Sequence, residues 1–194
     1  MPNEEYAIVL DYLPTGKSDS YKSDPVAQVI GKEHLTLLEI IPKTQLKSGE
    51  IIYIGKEERD KVQYTKRRIS FFDLTSNSLS ELNKAVEKIV LDNEKQFIEF
   101  FNKAGPITIR MHQLELLPGL GKKHMFNILE ERRNKPFESY SDIEKRVHLM
   151  PDPVKTIIKR IMIELEDEKQ KHYLFARPPS KHEEEERFRY KRKY

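Results

Sequence analysis

The hydrophobic pattern of this chain changes period once, near Ser78, and that change sets the order of its architecture. Before it, short apolar runs rich in β-branched and aromatic residues alternate with Gly, Pro, Asp and Ser. They are YAIVLDYL (6–13), VAQVIG (26–31), LTLLEII (35–41), EIIYIG (50–55) and RRISFFDL (67–74). Runs of this length, bounded by turn-forming residues, predict strands. Five of them with no long helix between predict a small antiparallel barrel or rolled sheet over residues 1–76. The polar loop 14–25, which carries Tyr21 and Lys22, is a candidate binding loop.

After the change, Leu82, Val86, Ile89, Val90, Phe97, Ile98 and Phe101 recur at helical spacing. Ser78-x-x-Glu81 reads as a capping box and Ala104-Gly105-Pro106 as a stop, which gives a connecting helix within 77–106. Residues 107–167 carry an internal repeat at an offset of 33, pairing Leu114 with Val147, Leu117 with Met150, Pro118 with Pro151, and Ile128 with Ile161. Each copy reads as helix, tight Pro-containing turn, helix. The first helix is expected over about 108–117, and a capping box at Ser141-x-x-Glu144 opens the second copy. Repeats this short bury their apolar faces only by packing on each other. Residues 168–194 lack apolar periodicity and are expected to form a charged tail that orders on a partner.

Composition narrows the function classes. The 35 Lys and Arg against 32 Asp and Glu leave a net charge of only +3, so nucleic-acid binding must be argued from local clusters. With no cysteine there are no disulfides, thiolate metal sites or thiol nucleophiles. No basic N-terminal region leads into a long apolar run, so neither a signal peptide nor a membrane span is read, and a cytoplasmic location is expected. The chain has no Walker loop, Gly-x-Gly-x-x-Gly or His-Glu-x-x-His motif. Its histidines (34, 112, 124, 148, 172, 182) never fall at i,i+3 or i,i+4 spacing. No metal, cofactor or catalytic residue is expected. Asp142 is a lone acid downstream of a hairpin, and a first-turn helix residue is the simpler reading.

The segment LELLPGLGKKHMFNILEERR places Gly119 and Gly121 between two apolar runs. Pro118 stops the first run, glycine at 119 accepts a left-handed backbone, and Gly121 opens the next helix without a Cβ. The N–H groups of residues 119–123 would then stand bare at the positive end of a helix dipole, where a phosphate oxygen can approach. Lys122 and Lys123 add charge at the same point. An αα-corner with solvated lysines is the bland alternative. Residues 114–129 resemble the helix-hairpin-helix motif, whose glycine hairpin contacts the sugar–phosphate backbone without reading sequence. That resemblance assigns Gly119, Leu120 and Gly121 to the hairpin and Lys122 and Lys123 to its flank. The second copy has Met150-Pro151-Asp152-Pro153 at its turn. It reads as structural, with Asp152 as N-cap and a carboxylate that would repel phosphate. Two further basic clusters are candidates: Lys66, Arg67 and Arg68, and the aromatic-basic run holding Arg189, Lys191 and Arg192. Each is weighed against a solvated, internally balanced charge run.

EEYAIVLDYLP, YKSDPVAQVIG, LTLLEIIPK, IYIGKEERDKVQYTKRRISFFDLT, ITIRMHQLELLPGLGKK and MPDPVKTIIKRIMIELE together resemble the archaeal domain-of-unknown-function family 655 over about residues 4–170. The resemblance implies an α+β protein, with an N-terminal OB-like antiparallel β-barrel followed by a tandem helix-hairpin-helix domain. It also implies a nucleic-acid-binding role and carries no established reaction, which agrees with the non-enzymatic reading of the motifs. The association of such chains with translation and transcription genes favours RNA over DNA and makes the ribosome or transcription machinery a candidate partner. The alternatives are a structured-DNA, junction-like binder and a protein-interaction adaptor. In the leading reading the hairpin grips the backbone and the barrel groove holds single-stranded bases on Tyr12, Tyr21, Tyr53, Tyr64, Phe71 or Phe72.

Overall fold

The computed structural model describes residues 4–16, 24–167, 169–180, 183 and 185. The chain forms two compact units. One combines residues up to Ala85 with those from Glu164 onward, and the other is Val86–Ile163.

In the first unit, β1 (Tyr6–Leu13), β2 (Val26–Gly31), β3 (Leu37–Pro42), β4 (Ile51–Tyr53) and β5 (Val62–Arg68) form one sheet in the order β4-β1-β2-β3-β5. Every neighbouring pair is antiparallel. The sheet curls into a half-barrel whose edges are β4 and β5, so the expected α+β class and N-terminal barrel-like sheet stand. One face carries the apolar core: Ala7, Val9, Ala27, Val29, Leu38, Ile40, Ile52 and Val62, joined by Leu46 and Ile54.

The opposite face is buried too, and it carries a polar row in register. Asp11 lies across from Gln28, Gln28 from Glu39, and Glu39 from Arg67. Buried polar groups are tolerated only when hydrogen-bonded, and each of these is. Gln28 Oε1 accepts the Thr75 amide (2.9 Å) and the Ser78 hydroxyl (2.7 Å), while its Nε2 donates to Asp73 O (2.9 Å). The Thr75 hydroxyl donates to Asp11 (2.7 Å). Arg67 forks onto Glu39 at 2.8 and 3.2 Å. The first turn of α1 (Ser76–Asp92) is thereby set over this face.

Two expectations are corrected here. The last strand is not 67–74 but Val62–Arg68, followed by a 3-10 turn at Phe71–Asp73. Asp73 accepts the Ser70 amide (2.9 Å) and hydroxyl (2.7 Å), which folds the chain out of the ladder. The helix does not open on a Ser78–Glu81 box. The Thr75 hydroxyl accepts the Ser78 amide (3.0 Å), Ser78 spends its own hydroxyl on Gln28, and Glu81 pairs with Lys84.

Residues 169–180, expected to belong to the charged tail, are held on this same unit. The buried Glu164 carboxylate accepts the amides of Leu174 (2.7 Å), Phe175 (3.0 Å) and Ala176 (2.8 Å), and the Arg177 amide donates to His34 O (3.0 Å).

In the second unit the expected single helix is broken. The end of α1 is followed at once by α2 (Glu94–Lys103). Asn93 makes the break: its Nδ2 and amide both donate to Ile89 O (2.9 and 3.1 Å), while its carbonyl starts α2 by accepting the Gln96 amide (3.0 Å). No helix covers 108–117. Pro106–Thr108 (β6) and Met111–His112 (β7) form a β-hairpin, and Gln113–Leu116 is a 3-10 turn. The β-branched run Ile107-Thr108-Ile109 favours the extended form. His112 then starts the turn, with Nδ1 accepting the Leu114 amide (3.1 Å) and its own amide donating to Glu115 (2.8 Å).

α3 (Lys122–Asn134), α4 (Tyr140–Arg146) and α5 (Pro153–Glu166) complete the fold. α4 is capped by Ser139, not Ser141, with the Asp142 amide on the Ser139 hydroxyl (3.1 Å). Among the described residues no helix is long and apolar enough to cross a membrane.

Candidate nucleic-acid interface

The glycine turn has the backbone that its sequence calls for. Gly119 adopts φ +85°, and Gly121 is the N-cap of α3 with no side chain over the helix end. The first amide to find a helical acceptor is Met125, on Gly121 O at 3.1 Å. The amides of Gly121, Lys122, Lys123 and His124 therefore have no acceptor within the helix. No heavy atom lies within 4 Å of where a Cβ on Gly121 would stand. The two glycines differ here, because a Cβ on Gly119 would meet Pro151 Cγ at 3.3 Å. The expected row of bare amides, 119–123, is shorter by one. The Leu120 amide donates to Leu117 O (3.1 Å) and its side chain is buried, so Leu120 packs the turn from beneath.

Lys122 and Lys123 are exposed at the first turn of α3, as the motif requires. Between them on the same helical face projects Phe126, 61% exposed. The sequence reading missed it, because Met125 and Ile128 account for the buried stripe and an extra aromatic beside it reads as core.

The turn of the second copy lies against the first, and it corrects the repeat. Leu149 has φ +60°, the counterpart of Gly119, and the Met150 amide donates to Val147 O as Leu120 does to Leu117 O. The turns therefore match at an offset of 30, not 33. Asp152 caps α5, its Oδ1 accepting the Lys155 amide at 3.0 Å, so the helix end that is open in the first copy is closed in the second by the chain's own carboxylate. Asp142 is likewise engaged, by Arg146 (3.1 Å) and the Glu138 amide (3.1 Å).

Comparison with known proteins bears on this geometry. The sequence model of the family described as "Protein of unknown function (DUF655)" matches residues 3–177. The chain belongs to the DUF655 family. An uncharacterized protein of Methanocaldococcus jannaschii, MJ0038, is 45% identical over 177 residues, which cover 90% of this chain and 80% of that one. The crystal structure of Af1531 from Archaeoglobus fulgidus matches with a TM-score of 0.82 and 44% identity, covering 90% of this chain and all of that one.

The second basic cluster of this DUF655 chain is taken up by the fold. Arg67 is spent on the buried Glu39, with Asp73 at 3.9 Å. Arg68 donates to Arg177 O (2.5 Å) and Pro178 O (3.2 Å) and pairs with Glu183 (3.4 Å). Neither guanidinium is presented to a phosphate, and Lys66 is half-buried beside them. Tyr21, Lys22, Arg189, Lys191 and Arg192 lie outside the described residues.

A cleft of about 660 Å³ opens between the β4 and β5 edges. It is lined by Leu38, Tyr53, Ile54, Arg59 and Tyr64, among others. Its charged lining holds three carboxylates (Glu4, Glu5, Glu57) against two cations (Lys56, Arg59), so it does not attract a polyanion along its length. Tyr53 is fixed edge-on against Tyr6 and accepts the Glu57 amide, while Tyr64 is 49% exposed at the opposite lip. Beside the cleft, Glu4 accepts the amides of Glu33, His34 and Thr36, and Glu33 accepts that of Glu5. Burial and the hydrogen bond to Glu4 push the Glu33 carboxyl up to about 7.

Proposed function

We propose that this DUF655 chain is a non-enzymatic nucleic-acid-binding protein that takes RNA by its backbone at the Gly119–Lys123 hairpin. One observation carries the reading: α3 opens on a glycine with no side-chain cap and no neighbour over its Cβ position, and its first amides without a helical acceptor include those of two exposed lysines. Such an end is an anion site by geometry and dipole. Phe126, on the same face, supplies a stacking surface for a base that follows the gripped phosphate. The tyrosine lips of the half-barrel cleft suit bases and not phosphates, given the carboxylates around them. The contacts are to phosphate and to any base face, so recognition is tolerant of sequence.

The test is Gly121→Val. The open space around position 121 accommodates the side chain, so the fold persists while the amides are covered. Binding of a fluorescein-labelled 15-nucleotide RNA should weaken about tenfold or more. Parent binding should fall with salt at a log–log slope of about −2 to −4, for roughly three to five phosphate contacts. A folded variant that binds like the parent refutes the hairpin assignment. A single-stranded DNA of the same length and a four-way DNA junction are the competitors that decide the polymer.

A further inference from the structure

The second hairpin, which the sequence presents as purely structural, holds the most exposed apolar side chain beside the glycine turn. Leu149 is 86% exposed and has φ +60°, a conformation that glycine, asparagine or aspartate adopts far more readily. Two contacts fix this tip against the opening of α3. The Leu149 carbonyl is 3.0 Å from Nε2 of His124, whose own amide is one of the free group, and Pro151 packs under Gly119. A left-handed leucine that buries almost none of its surface gains nothing from the fold that a glycine or asparagine would not supply. Strain of this kind is kept where the surroundings hold a residue for another purpose.

We infer that Leu149 is an apolar contact for an unstacked nucleobase, placed by the second hairpin one step along the strand from the phosphate held at Gly121–Lys123. The inference rests on the function proposed above. It adds a division of labour between the two copies. The first keeps its helix end open for phosphate. The second closes its own with Asp152 and turns a hydrophobic tip toward the ligand. Apolar side chains serve this purpose wherever proteins separate or splay bases. The ligand class is therefore single-stranded RNA with accessible bases, and a fully paired duplex, whose bases are stacked inward, is disfavoured.

The experiment compares Leu149→Asn, Leu149→Gly and Leu149→Met with the parent and Gly121→Val. The probes are labelled U15 RNA, a 15-unit abasic phosphate oligomer and a 15-base-pair RNA duplex. Asparagine and glycine tolerate the left-handed backbone, so both variants should melt at or above the parent temperature. Each should nevertheless bind U15 about three- to tenfold more weakly, while methionine retains the parent affinity. On the abasic oligomer the difference between parent and Leu149→Asn should vanish, and the parent should prefer U15 to the duplex. If Leu149→Asn and Leu149→Gly bind U15 like the parent while Gly121→Val binds weakly, the leucine has no such role and the backbone grip stands. If Gly121→Val also binds like the parent, the proposed function itself falls. A loss of equal size on the abasic oligomer would make Leu149 a positioning residue for the turn and overturn the base contact.

Discussion

Gly119 and Gly121 stand two positions apart in one turn, yet the fold asks different things of them. Gly119 needs the left-handed backbone and has Pro151 against it, whereas Gly121 has an ordinary extended conformation and empty space. A search for glycines alone cannot separate these roles; the neighbours do. Arg67 makes the same point with charge. As part of Tyr64-Thr65-Lys66-Arg67-Arg68 it reads as a nucleic-acid patch, but its partner Glu39 lies 28 positions away, and that of Arg68, Glu183, lies 115 positions away. Local sequence shows the cations and hides the anions that neutralise them. Arg67→Ala should cost about 3–5 kcal/mol in urea unfolding, because it takes the forked guanidinium away from a buried carboxylate. The pair Glu39→Leu with Arg67→Met should recover most of that loss. RNA binding by the folded fraction of either variant should match the parent, since the guanidinium faces inward.

At the scale of elements, β1 and β2 were legible to the residue because most of both strands is buried, so their apolar runs are interrupted only by Asp11 and Gln28. β5 was misplaced by several residues because it is an edge: VQYTKRR has one buried residue, Val62, and the apolar signal sits beyond its end in Ile69 and Phe71. The helix starts were set too late at Ser78 and Ser141 for a related reason. In each case the hydroxyl nearest the apolar stripe was preferred to the one that meets the orphan amide. The turn that feeds the glycine hairpin is set by His112, whose Nδ1 must stay unprotonated to accept the Leu114 amide. Burial, reinforced by the Arg132 charge, holds this imidazole below its ordinary value of 6.5. A histidine depressed in the folded state contributes stability above the unfolded value and loses it as pH falls through the folded one. The protection of the Leu114 amide, its exchange rate taken relative to that of an unstructured amide at the same pH, should therefore fall as the solution is acidified below about pH 6.5. In His112→Asn, which keeps an acceptor that does not titrate, it should stay flat across the same range.

For the molecule as a whole, the chain ends matter more than their composition suggests. Glu164 is buried and Arg68 half-buried, and both take partners from residues 174–183. Removal of residues 168–194 should take these contacts from both and lower the midpoint of thermal unfolding by several degrees, a loss of about 2–4 kcal/mol. The truncated chain should lose this stability in the sheet, read by exchange at β3 and β5, and keep parent-like protection in α3.

The first unit is drawn from both ends of the polypeptide and the second from its uninterrupted middle. On a ribosome, the contacts within Val86–Ile163 can close among residues made in one continuous stretch. The curled sheet is made before the residues that close on it: Arg177, whose carbonyl Arg68 meets, follows 109 positions later. Late arrival of that strap leaves an early-made sheet short of its final stability, and open to proteases when translation stalls in between.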